Sequence, residues 1–257
     1  MRRSNRRRAR KGYRSSGMEI GPAVIPLVTA LIAAALAARV GGSAVRRFRP
    51  AKALWAIGLL LFAIAAAAEA YGAADGWGPA SFKVYYLAGG CLTVAFLGAG
   101  SAWLVLPRDA ALLLTGGLAV AVIAATVSVL VADLEPLAAY GAHLKPPPND
   151  TLTGHAYIWA IALNTVGTLL LVGSSAVSLL HRRRVAGNVL LLAGVAALAS
   201  SGLLTRFGDE GYVIAGQAVG IVLLAAGFEL AEHAPGTQRP RVRGLGVSGA
   251  RADRPAS

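Results

Sequence analysis

Residues 52–72 read KALWAIGLLLFAIAAAAEAYG. From Ala53 to Ala68 the chain runs sixteen residues without a charge or a proline. A helix rises 1.5 Å per residue, so the whole stretch reaches across a hydrocarbon core of about 30 Å. A surface helix of a water-soluble domain would carry a polar stripe along one side. This one is apolar all round. A segment that crosses lipid must close its own backbone hydrogen bonds, which makes helix its only state.

The pattern repeats on both sides of this stretch. Seven spans read at about 22–40, 52–72, 81–106, 110–132, 155–180, 186–205 and 211–232, each bounded by charges, glycine or proline. Composition agrees, since 56% of the 257 residues are hydrophobic, 14% are charged, and the charges gather at a few places. The expected fold is all-α, a polytopic seven-transmembrane-helix bundle over residues 18–234. Residues 1–17 form a basic tail with eight Arg and Lys, and the Gly-, Pro- and Arg-rich residues 235–257 read as a disordered tail. The fourth loop, DLEPLAAYGAHLKPPPND at 133–150, joins a short interfacial helix at 135–144 to a stiff spacer at Pro146–Pro148.

Lys and Arg set the orientation. Loops one, three and five and the C-terminal tail hold fourteen basic residues: Arg39, Arg46, Arg47, Arg49, Lys52, Arg108, Arg182, Arg183, Arg184 and five in the tail. Loops two, four and six hold three, Lys83, Lys145 and Arg206, beside several carboxylates. The odd loops and the C-terminus are therefore expected in the cytoplasm and the N-terminus outside. Eight basic residues ahead of the first span oppose that orientation. The conflict disappears if translation natively begins at Met18, which leaves a short leader, MEIGPAVIP, with only Glu19 charged. The rival is a basic arm translocated against the rule.

Polar groups inside spans carry the functional signal, because burying them in lipid is costly. Glu69 lies near the end of span two and Lys83 near the start of span three, across a short turn. They read either as an interfacial ion pair or as a proton- or cation-binding carboxylate with a neighbouring ammonium. Span five carries Asn164, Thr168, Ser175 and Ser178 on one helix face, and span seven carries Gln217 between Gly216 and Gly220. Such spacing serves helix contact. If the faces of Glu69, Asn164 and Gln217 converge, with Lys83 at the rim, they line a polar pocket open to the outside. These four are the expected ligand-binding residues.

Other chemistries are excluded. His143 and His155 fall on the outer side and His181 and His233 on the inner, with no ligand spacing, so neither a metal nor another cofactor is expected. Span seven has no lysine for a retinal Schiff base. Ser101 and His155 lie toward opposite faces, which rules out a Ser–His dyad. Cys91 is the single cysteine, so there is no disulfide framework. The net charge of +13 comes from the tails and the loops of one side, and no nucleic-acid partner is indicated.

Two stretches, RRFRPAKALWAIGLLLFAIAAAAEAYG at 46–72 and FKVYYLAGGCLTVAFLGAGSAWLVLPR at 82–108, resemble a group of bacterial integral membrane proteins with seven spans. The resemblance covers most of spans two to seven and implies no chemistry and no site residue. The expected location is the bacterial inner membrane, with the lipid bilayer as solvent. No enzymatic signature is present. The expected activity is binding or permeation of a small solute or lipid through the outward-facing polar pocket. The alternative is an accessory or scaffold subunit that packs against partner helices, in a hetero-complex or a homo-oligomer.

Overall fold

Proline and glycine set the helix ends. A computed structural model describes residues 23–47, 49–134, 147 and 151–180, with positions 186, 187, 189, 190, 193, 194, 197, 216, 219–224, 226, 227 and 230. Helix α1 runs over Val24–Arg47 and α2 over Pro50–Asp75. Pro50 opens α2, where its missing N–H would have had no partner in any case. Gly76, at φ 90°, closes it, and its N–H returns to the Gly72 carbonyl at 3.0 Å. After a turn at residues 76–78, Pro79 opens α3 (Pro79–Tyr85). The Ser81 hydroxyl reaches back to the Gly78 N–H at 3.0 Å and so satisfies one orphan donor of the first turn.

The third span is not one α-helix. α3 passes into a seven-residue π-helical segment, Tyr86–Leu92, which passes into α4 (Thr93–Ala102). The sequence reading continues this span to residue 106, but the chain turns at residues 103–106, where the Leu106 N–H bonds to the Ala102 carbonyl at 2.8 Å. Pro107 then precedes α5 (Arg108–Val131). α6 covers Ala156–Leu180. Between α5 and α6 the strand-like pair Leu134 and Leu152 closes the base of the fourth loop. Thr153 donates to the Asp133 carbonyl through both its N–H and its hydroxyl, each at 3.0 Å. The interfacial helix expected at 135–144 and most of the sixth and seventh spans lie outside the described residues.

Five helical segments are long and apolar enough to cross a membrane: α1, α2, the composite α3–π–α4, α5 and α6. Large apolar side chains face outward around them, among them Leu31, Leu113, Val120 and Leu169. Water would penalise so wide an apolar surface; lipid does not. The protein is thus an all-helical, membrane-associated chain.

The composite span is the centre of the bundle, and glycine puts it there. α4 packs against both α2 and α6. A Cβ on Gly98 would overlap the Gly167 carbonyl oxygen of α6, and one on Gly167 would stand 2.6 Å from the Val94 carbonyl oxygen. A Cβ on Gly58 of α2 would lie 2.9 Å from the Leu97 side chain. Backbones approach this closely only without side chains between them, as in small-residue contacts of membrane helices. At the periphery, 11% of the most apolar window of α5 is buried, against 56% for the composite span. Trp103 ties α5 in place, its indole N–H donating to the Thr115 hydroxyl at 2.9 Å.

Antiparallel packing sorts the charges. Arg46, Arg49 and Lys52 gather where α1 joins α2, with the Lys52 ammonium donating to the Ser43 hydroxyl at 2.9 Å. Glu69, Asp75 and Lys83 gather at the other end of the α2–α3 hairpin.

Candidate functional site at the Glu69 end

The short turn GWG at 76–78 lays Trp77 back across α2. A Cβ on Gly72 would overlap the indole ring, so only glycine admits the ring there. Phe82 and Tyr85 then meet Trp77 edge-on, with ring centroids at 6.1 and 5.3 Å. Phe82 also meets Tyr86 at 6.1 Å. Edge-to-face contacts add to area burial in such clusters. Trp77, Phe82 and Tyr86 are all buried, in a cluster that also takes in Leu152 and Ala156.

In and beside this apolar cluster sit three buried polar atoms. Trp77 Nε1, Tyr86 Oη and Thr151 Oγ1 are buried and have no hydrogen-bond partner among the described residues. Buried polar groups are nearly always paired, because leaving one unpaired costs about 1–3 kcal/mol. An indole N–H only donates, whereas the two hydroxyls donate and accept. The end of the bundle therefore offers three donors and two acceptors.

Of the four expected site residues, Glu69, Lys83 and Asn164 are described, on α2, α3 and α6. Glu69 is half-buried in the last two turns of α2. The bond that the structure gives Lys83 runs to α5: Nζ donates to the Leu130 carbonyl at 2.7 Å. A cation at a helix C-terminus satisfies a carbonyl there and meets the negative end of the helix dipole. Lys83 thus joins α3 to α5. Asn164 serves the helix interface. Its amide Nδ2 donates to the Gly90 carbonyl inside the π segment and to the Ala160 carbonyl of its own helix at 2.9 Å. Gln217 lies outside the described residues.

The neighbours of Gln217 are partly visible. Ile221 packs with Ala33 and Ala63, and Leu224 with Val40, Leu59 and Leu171. A Cβ on Gly194 would stand 2.8 Å from the Gly220 carbonyl oxygen, a close contact of the kind expected from the glycine spacing at 216 and 220. On α6, Ser175 is buried and Ser178 half-buried with Asn164, whereas Thr168 faces out. Among the described residues no group of His, Cys, Asp and Glu is placed to hold a metal ion.

Trp77, Tyr86 and Thr151 were not among the residues expected from the sequence. An aromatic residue in an apolar span reads as core, and its polar tip is only informative once its surroundings are known. The one local signal is the tryptophan between two glycines at 76 and 78. No protein-family model, no curated protein and no solved structure matches the chain.

Proposed function

We propose that this chain is a seven-span, multi-pass protein of the bacterial inner membrane that binds a small solute or lipid and lets it pass through a site open to the outside. In this reading the N-terminus and the Glu69 end face outward, the C-terminus faces the cytoplasm, and the sixth and seventh spans complete the bundle. The observation that carries it is the trio of buried groups Trp77 Nε1, Tyr86 Oη and Thr151 Oγ1 at the Glu69 end, which have no hydrogen-bond partner among the described residues. A ligand with hydrogen-bond acceptors and an apolar body suits those donors and the aromatic walls around them. Glu69 and Lys83 stand at the same end, the first as the acceptor for a cation or proton.

Tyr86→Phe tests this site. Removing a buried hydroxyl that has no partner among the described residues deletes a cost, so the ligand-free variant is expected to be as stable as the parent or more stable, by up to about 1 kcal/mol. The same variant should lose the thermal shift produced by any solute that stabilises the parent in detergent. A destabilised Tyr86→Phe would mean that the hydroxyl already has a partner and that the site is closed.

The scaffold reading has its own support on α5. Gly116 and Gly117 face open space, with no atom within 4 Å of a Cβ built on either. Glu69→Gln separates the two readings. A transporter that uses the carboxylate loses transport and keeps its stability, whereas a scaffold loses stability. The orientation is checked by membrane-impermeant labelling of single cysteines. Gly141→Cys and Asn149→Cys should react from outside and Arg183→Cys should not, since the basic loops stay in the cytoplasm.

A further inference from the structure

The two halves of the composite span are held in different ways. The α4 half is fixed by backbone contact. Gly98 lies against Gly167, and a Cβ on Gly100 would stand 2.7 Å from the Trp55 indole nitrogen and 2.9 Å from the Ala51 carbonyl oxygen. Its hydroxyls are paired, Ser101 to the Leu97 carbonyl at 2.9 Å and Thr93 to the Ala88 carbonyl at 2.8 Å. Rotation of this half would drive side chains into neighbouring backbone. The α3 half is held by aromatic side chains, and the residues that flank it, Trp77 and Tyr86, have Nε1 and Oη without partners among the described residues.

Between the halves lies the π segment. A π turn accommodates one residue more than an α turn, so its hydrogen bonds are strained and its carbonyls need other donors. Here they have them. Asn164 of α6 donates to the Gly90 carbonyl, and the Ala88 carbonyl accepts from both the hydroxyl and the N–H of Thr93. The segment also carries Gly89 and Gly90 in succession. Glycine lowers the cost of changing backbone conformation at that point.

We propose that Tyr86–Leu92 is a register switch, latched in its π form by Asn164, which turns the Pro79–Tyr85 half of the span against a stationary Thr93–Ala102 half. Conversion to α takes one residue out of the wide turn. The α3 half then rotates by about 100° and moves by about 1.5 Å along the axis, the displacement of one helical residue. The displaced residue is taken up in the turn at 76–78, where Gly76 already holds φ 90°. The rotation carries Phe82 and Tyr85 to new neighbours and so breaks their contacts with Trp77. Of the two Asn164 bonds, the one to Ala160 stays within α6, and the one to the Gly90 carbonyl is the latch that sets the population of the π form. An interhelical hydrogen bond in lipid shifts an equilibrium by about threefold to tenfold.

The test uses the full chain in detergent, with spin labels on Val84 and Ile158, both lipid-facing, and distances read by pulsed electron paramagnetic resonance. Cys91 is fully buried and does not compete for label. The parent is expected to give one dominant distance. Asn164→Ala should raise a second population by about threefold to tenfold. A control pair at Leu104 and Leu169 should give the same single distance in both proteins. Thr93→Val, which removes the hydroxyl bond to Ala88 and keeps the shape, should act in the same direction and decides the matter if Asn164→Ala fails to fold. A distribution unchanged in the folded variants, with only a lowered melting temperature, would overturn the switch and leave Asn164 as a helix–helix bond.

Discussion

Gly98→Leu is expected to destroy the packed bundle. A Cβ at this position would overlap the Gly167 carbonyl oxygen and stand 2.8 Å from its Cα. Neither atom belongs to a flexible side chain, so α4 and α6 must separate along their whole crossing. Overpacking costs 1–3 kcal/mol where side chains can move aside, and more where backbone must. A loss of about 3 kcal/mol or more follows for Gly98→Leu. Gly167→Leu should match it from the other side, its Cβ meeting the Val94 carbonyl at 2.6 Å. Unfolding by denaturing detergent, followed by tryptophan fluorescence, reads the change. Gly116→Leu is the control. Nothing lies within 4 Å of its Cβ, and replacing glycine in a helix gains about 0.8 kcal/mol of propensity. Equal effects at 98 and 116 would show that the α4–α6 crossing does not hold the fold.

The second large effect is expected at Val120, in the middle of α5 and 68% exposed. In water, an exposed valine replaced by arginine changes stability by about 0.5 kcal/mol or less. In lipid the same change puts a guanidinium at the centre of a spanning helix, at about 2.5–3.5 kcal/mol on insertion scales. Val120→Arg should therefore block insertion of α5 or sharply reduce accumulation in the membrane fraction, while Arg108→Ala at the end of the same helix should not. Membrane fractionation and protease protection measure both. Normal accumulation of Val120→Arg would place α5 outside the hydrocarbon.

Much of the fold is legible because lipid leaves the backbone one choice. Runs such as 53–68 must be helical, and Pro50, Pro79 and Pro107 mark where helices begin, for reasons internal to the chain. Four of the five described spans fall within about four residues of where the apolar runs predict, whereas the first continues past 40 to Arg47. The inward faces are much harder to read. Periodicity reveals burial when one side of a helix meets water and the other meets protein; here both sides are apolar, and lipid exerts no hydrophobic push between helices.

The site shows the same division. That Glu69, Lys83 and Asn164 are informative is plain from their polarity inside apolar runs. What each one touches is not, because their partners are backbone carbonyls or residues distant in the chain. Lys83 meets Leu130 and Asn164 meets Gly90, 47 and 74 positions away, and a carbonyl carries no mark in the sequence. The π segment is hidden for a related reason. YLAGGCL is compatible with an α-helix on its own, and the extra residue is accommodated only where Asn164 and Thr93 supply donors to its carbonyls. By itself the sequence determined which segments are apolar enough to span, that they are helical, and where the charges collect. Tertiary structure alone decided which glycines became contacts, which polar tips were left open, and where the third span departs from the α-helix. Those outcomes depend on what stands opposite each residue, and in lipid no local pattern records that.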